Sequence, residues 1–263
     1  MRIGFVILTW NSRPYLATCL ESVLALEKAE VRVIVSDNGS TDGSLEVLRE
    51  FAAREPVRLR LVENGRNLGT TVPRNRAIST LLAEGVDAVC VLDSDTVVDD
   101  AAIARLAGYL AAHPECGIVG PRLVSPDGSV QLSARNFPTL ADKLLKALRC
   151  ERLAERMERG DSPESGDCDY LISACWLVKP VVFEHAGLLD EGIFYAPEDA
   201  EFCLRVWKAG FRVVYLADAV VRHVWQRIGR RRVLSRHNLE HVRGLIRMFV
   251  RHRYLFSRKG LRP

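Results

Sequence analysis

The chain has 263 residues, 48% of them hydrophobic, enough for one large α/β domain with a substantial core. Its net charge of +4 is uneven: residues 222–263 hold thirteen Lys/Arg and one acid, so this tail carries +12 and the body −8. An acidic body argues against nucleic acid as the main partner, and no run of ~20 apolar residues offers a transmembrane helix.

In chain order, Ile3 to Thr9 reads as a strand, and Pro14 to Leu26 as a helix with Leu16, Leu20, Val23 and Leu24 at helical spacing. Six residues here, Ile3 to Leu8, are too short an apolar run for a signal peptide. Val31 to Ser36 forms a second strand, Ser44 to Ala53 a second helix and Val57 to Val62 a third strand. Pro73 suits the first position of a third helix. Val89 to Leu92, short and rich in β-branched residues, reads as a fourth strand buried on both faces. This alternation predicts a right-handed, mostly parallel α/β sheet that binds ligands at the carboxyl ends of its strands. Seven cysteines without zinc spacing are expected as reduced thiols of a cytoplasmic protein.

Those strand ends are polar. Thr9-Trp10-Asn11 closes the first. Asp37 closes the second, where it can accept hydrogen bonds from a base or ribose, or simply form a turn with Asn38 and Gly39. Asp93 and Asp95 close the fourth; set two apart, they can face one divalent cation, Mg²⁺ or Mn²⁺, or else cap the helix starting near Asp100. Arg74, early in the third helix, suits a phosphate or a solvated helical face.

The succession Thr9-Trp10-Asn11, Asp37 to Asp42, Asn67-Leu68-Gly69, Arg74-Asn75 and Asp93-Ser94-Asp95 resembles the motifs of family-two glycosyltransferases. Gly120 to Leu123, Gln131-Leu132-Ser133, Phe137-Pro138-Thr139, Ile172 to Cys175, Gly187 to Glu191 and Glu198-Asp199 are similar to its rhamnosyltransferase-like branch. The resemblance implies a GT-A fold over residues 1–225; the residues themselves make 226–263 a basic amphipathic segment after it. It implies inverting transfer from a nucleoside-diphosphate sugar, UDP- or dTDP-linked, to a saccharide or lipid-linked acceptor. Nucleotide-sugar binding then falls to Thr9, Trp10, Asn11, Asp37, Asn67, Arg74, Asp93 and Ser94, and metal binding to Asp93, Asp95 and His223. Asp199 becomes the base, with Trp176 and Glu198 on the acceptor side. Read from the residues alone, Glu198 can equally be a first-turn acid of a helix and His223 a structural histidine.

Several features depart from the family pattern: Ala77, Ser173 and Glu201 replace usual residues, and Val224 to Gly229 replaces a small-residue loop. Cys150 to Cys168 reads as an insertion near the acceptor or a surface linker. Two rivals stand beside the transferase. Leu92 to Val97 also fits the nucleophile motif of haloacid-dehalogenase-like phosphatases, and the altered loop after His223 suits a non-catalytic sugar-nucleotide binder.

In the tail, Leu239, Val242, Leu245, Ile246, Phe249 and Val250 recur at helical spacing beside Arg243, Arg247, Arg251 and Arg253. Such a helix packs on its own domain or lies on an anionic membrane surface, with Arg230, Arg231, Arg232, Arg258 and Lys259 adding charge. The second alternative predicts peripheral attachment at the inner face of the cell membrane.

Overall fold

The computed structural model describes residues 1–147, 164–224 and 236–262. Strands β1 (Arg2–Thr9), β2 (Glu30–Asp37), β3 (Leu59–Glu63) and β4 (Ala88–Asp93) alternate with helices α1 (Arg13–Leu24), α2 (Ser44–Arg54) and α3 (Thr71–Ala83). After β5 (Thr96–Val97) come α4 (Asp100–Ala112), β6 (Cys116–Val124), the short β7 (Val130–Gln131) and β8 (Ala134–Arg135), and α5 (Leu140–Ala147). The described remainder holds β9 (Gly166–Asp167), β10 (Tyr170–Leu171), β11 (Cys175–Val178), α6 (Pro180–Ala186), α7 (Glu198–Lys208), β12 (Arg212–His223) and α8 (Arg236–His252).

The main sheet runs β3-β2-β1-β4-β11-β6-β12-β5. The first four strands are parallel, as the alternating sequence predicts; β11 is inserted antiparallel between β4 and β6. Strand periodicity divides the core into two layers. Ile3, Phe5 and Ile7 of β1 face Leu16 and Leu20 of α1 and Leu106 of α4, whereas Val6, Val89 and Val91 face Ile78 and Leu81 of α3 and the α7–α8 side.

Three boundaries differ from the sequence reading. Arg58 and Leu59 both donate backbone bonds to the Glu55 carbonyl, so the α2 exit consumes Val57, which is exposed, and β3 starts at Leu59. Helix α3 begins at Thr71 because Thr70 N and Thr71 Oγ1 anchor on the carbonyls of Phe194 and Ile193; Pro73 therefore sits inside its first turn. Val213 to Leu216 and Ala219-Val220-Val221, which read in the sequence as a strand and a separate apolar run before His223, form one strand, β12, with an irregularity between Leu216 and Val220. Beyond it, alternation exposes Val220 and Arg222 and buries Val221 and His223.

Helix α8 packs on the domain through Leu245, Met248 and Phe249. Among the described residues no helix is long and apolar enough to cross a membrane, and the six described cysteines are buried and free. The expected boundary at 225/226, Arg230 to Arg232, Trp225 to Gly229 and most of the 150–168 segment lie outside the described residues.

Candidate active site

Parallel register sets Thr9 beside Asp37 and Leu8 beside Asp93, so the ends of β1, β2 and β4 share one edge of the sheet. The turn at Asp37 is real: its Oδ2 accepts from the amides of Gly39 and Ser40. Its Oδ1, however, is buried with no partner, as is Thr9 Oγ1 across the strand pair. Asn64, whose amide N–H donates to the Asp37 carbonyl, has both side-chain polar atoms in the same condition. Buried polar atoms are rarely left unmatched, so this corner is suited to a ligand rich in donors and acceptors.

Other expected donor-site residues shape the rim. Asn11, at φ 55, accepts from Thr41 N and donates its own amide to Ser40 Oγ, clasping the loops after β1 and β2. Asn67 Oδ1 accepts from Asn38 Nδ2 and Gly69 N. Gly69 has φ +82, and a Cβ there would strike the Phe194 carbonyl, so only glycine lets this loop meet the segment before α7. Ser94 Oγ donates to Ser12 Oγ in the interior, whereas Trp10 stands half exposed at the mouth.

The cap alternative for the paired aspartates is removed by Asp99, whose side chain accepts from Ala102 N at the start of α4. Asp93 and Asp95 instead meet His223, because β5 pairs β12 with Thr96 opposite His223. Donor atoms of the three residues lie within 4.8 Å of one another. His223 Nε2 is 3.3 Å from Asp95 Oδ1 and 3.9 Å from Asp93 Oδ2. The other ring nitrogen, Nδ1, donates to Gln131 Oε1 at 2.7 Å. Two carboxylates and an imidazole whose far nitrogen is engaged form a donor set that fits Mg²⁺ or Mn²⁺. Burial lowers the basicity of His223, but the Asp95 hydrogen bond and the charges of Asp93 and Asp95 outweigh it and raise its pKa.

Arg74 is neither on a solvated face nor presented outward for a phosphate. Its guanidinium is buried, 2.7 Å from Asp93 Oδ1 and 3.1 Å from both Glu198 Oε1 and Ser173 Oγ. Burial raises the Asp93 pKa overall, opposed first by Arg74. Glu198, expected on the acceptor side, is thus tied inward to the Asp93 carboxylate through Arg74. Trp176 also leaves the acceptor surface: it is 1% exposed, stacked on Phe202 at 6.0 Å, and donates to the Leu171 carbonyl. On β11 it faces the α7 layer of the core.

Asp199 stands in the first turn of α7, where Ala200 N donates to its Oδ1. Burial, then the Glu198 charge, pushes its pKa up to about 7. A carboxyl that ionises near neutrality is suited to accept a proton. Sequence reasoning gave Gln131, Ser173 and Asn64 no role at the site. Gln131 lies 92 residues from His223 on a two-residue strand, too far apart for spacing to connect them.

This sheet order, with carboxylates at β4, a histidine at the end of β12 and a ligand corner at β1 and β2, defines a GT-A fold. A solved structure of GalNAc-T7 with UDP, GalNAc and Mn²⁺ superposes with a TM-score of 0.69 at 16% identity, covering 95% of this chain and 48% of that one. The chain thus spans about half the length of that solved chain. It belongs to glycosyl transferase family 2, whose family model matches residues 5–186. It is 31% identical over 233 residues to the N-acetylglucosaminyl-diphospho-decaprenol L-rhamnosyltransferase of Mycobacterium tuberculosis, covering 83% of this chain and 74% of that one. It is also 24% identical over 218 residues to the dTDP-rhamnosyl transferase RfbF of Shigella flexneri, covering 83% and 67% respectively. Within its family the chain is rhamnosyltransferase-like.

Proposed function

We propose that the protein is an inverting, metal-dependent glycosyltransferase. It moves a sugar, rhamnose being the first candidate, from a UDP- or dTDP-sugar to a hydroxyl of a saccharide or lipid-linked acceptor. The carrying observation is the continuous charged chain from Asp95 and His223 through Asp93, Arg74 and Glu198 to the turn bearing Asp199. It gives one site both a cation-holding end and a proton-accepting end.

Thr9, Asp37 and Asn64 supply the unmatched polar atoms that bind and orient the nucleotide. Asp199 accepts the acceptor hydroxyl proton as the oxygen attacks the anomeric carbon on the face opposite the nucleoside diphosphate. One displacement inverts the centre, so no covalent enzyme intermediate is required. Asp93, Asp95 and His223 would hold a divalent cation, which would supply positive charge against the diphosphate. Arg74 sets one positive charge against both Asp93 and Glu198. The natural setting of a lipid-linked acceptor is the cytoplasmic face of the cell membrane.

The deciding experiment is a donor screen, UDP- and dTDP-sugars with Mn²⁺, Mg²⁺ or chelator, read by thermal shift and by release of nucleoside diphosphate to an added acceptor. A donor that stabilises wild type but not Asp95→Ala, and turns over only with metal, supports the reading; undiminished turnover in chelator overturns it. Binding without turnover for every acceptor would favour the non-catalytic binder. The phosphatase alternative falls with the fold: Asp93 ends the fourth strand of a GT-A sheet, and its carboxylate is bound by Arg74.

A further inference from the structure

Helix α8 meets the domain with one face, yet its opposite face is not polar. Leu239, Val242, Ile246 and Val250 are 52%, 48%, 57% and 72% exposed, and Leu255 and Phe256 just beyond the helix are 47% and 65% exposed. Six of the twelve large exposed apolar residues among the described residues therefore fall within residues 239–256. Val242, Ile246 and Val250 recur every four residues, which aligns them in one row on the helix. A water-facing helical surface is ordinarily polar, so this row calls for an occupant.

Charge selects the occupant. Arg243, Arg247 and Arg251 form a second row one residue on from the apolar one, but each is ion-paired, Arg243 with Glu240 and Arg247 and Arg251 with Asp190, so the outward charge comes from just beyond the helix. Arg253 and Lys259 flank Val250, Leu255 and Phe256 in an open groove at the end of the helix. Of the other cations here, Arg258 and Arg262 are bridged to Asp142 and Asp169, whereas Arg253 and Lys259 have no ion pair among the described residues. A second copy docked by two-fold symmetry would set this basic patch against itself. A sheet of anionic headgroups would neutralise it while the apolar row enters the acyl boundary.

We propose that the outer face of α8 is the surface by which the enzyme docks on an anionic phospholipid bilayer. The idea rests on the lipid-linked form of the proposed acceptor for its purpose, and on the exposed rows for its physics. It also explains how α8 is fixed inwardly. Arg247 and Arg251 both bind Asp190, and Gly244 lies so close to the chain before α7 that a Cβ would come within 2.6 Å of the Ala196 carbonyl. The helix that would touch the bilayer thus rests directly on the segment that leads into α7 and Asp199.

The test uses the full chain and sedimentation with vesicles of pure phosphatidylcholine or of phosphatidylcholine with one-third phosphatidylglycerol, at low and high salt. Wild type should sediment with the anionic vesicles and be released by salt. Ile246→Asp combined with Val250→Asp, and separately Arg253→Glu combined with Lys259→Glu, should each weaken binding at least tenfold. Thermal melts and turnover on a water-soluble acceptor should stay at wild-type level. No binding to anionic vesicles, equal binding to both vesicle types, or variants that bind like wild type would overturn the proposal. So would a concentration-dependent dimer abolished by the Asp substitutions. Turnover is scored separately, so a protein that binds vesicles but transfers nothing refutes the transferase reading and leaves the docking surface standing.

Discussion

Gln131 holds His223 at two points: its Oε1 accepts from the ring Nδ1 at 2.7 Å, and its Nε2 donates to the His223 carbonyl at 2.6 Å. The carbonyl can only accept, which fixes which way the amide points, and Ser125 Oγ is a further partner of the amide nitrogen. The ring is thereby locked with Nε2 toward Asp93 and Asp95. Gln131→Ala is expected to weaken Mn²⁺ binding about 10–100-fold, the usual cost of removing such an orienting partner. Titration of free Mn²⁺ by electron paramagnetic resonance measures this without turnover. An unchanged affinity would show that the ring needs no help.

Arg74 leads to a second prediction. It is the shared cation of Asp93 and Glu198, and only 4% of its side chain is exposed. Arg74→Met leaves Glu198 buried and unpaired, a change of the kind that costs roughly 3–5 kcal/mol. Restoring neutrality with Glu198→Gln in the same chain should recover part of it. Urea unfolding of the two single variants and the double variant gives the coupling, and strict additivity would contradict the network.

How much of this was legible in the sequence follows from the range of each signal. Short continuous apolar runs and strand-end polarity are local, so β1 to β4 and the Asp37, Asp93 and Asp95 positions could be read directly. β11 could not. Cys175 to Val178 looks like any short apolar run, and only pairing shows it antiparallel beside β4, with Trp176 turned inward. Partners of Arg74 lie 19 and 124 residues away, which no spacing rule reaches. Of the tail alternatives, packing on the domain is what α8 shows: Leu245, Met248 and Phe249 are buried against it, while Ile246 and Val250 are exposed.

Asp190 supports a prediction about acid. Burial would raise its pKa, but Arg247, Gly192 N and Arg251 prevail and hold it at about 2. A carboxylate depressed in the folded state stabilises above its unfolded pKa of ~3.9, and that stability is lost as pH falls toward 2. Asp190→Asn should therefore be less stable than wild type at pH 6, with the gap closing between pH 4 and 2. Thermal melting across that range measures it; a gap that stays constant with pH would mean that Arg247 and Arg251 do not act through its charge.

The last prediction separates the chemistry of Asp199 from its stability. Its pKa near 7 means that the folded protein favours the neutral acid, by burial first and the Glu198 charge second. A base must be ionised, so turnover should rise about tenfold per pH unit below 7 and level off above. Stability runs the opposite way. The unfolded chain loses this proton near pH 4, so what the neutral form contributes is complete below that value and is lost as pH rises through about 7. Asp199→Asn keeps the site neutral at every pH. It should gain stability relative to wild type as pH climbs from 4 to 7, hold donor affinity within a fewfold, and lose turnover by roughly 10²–10⁴. Urea midpoints at pH 5 and 8, with single-turnover rates at pH 8, measure both halves. Turnover that survives the substitution would assign the proton to another group, and a collapse of donor affinity would mark Asp199 as a binding residue instead.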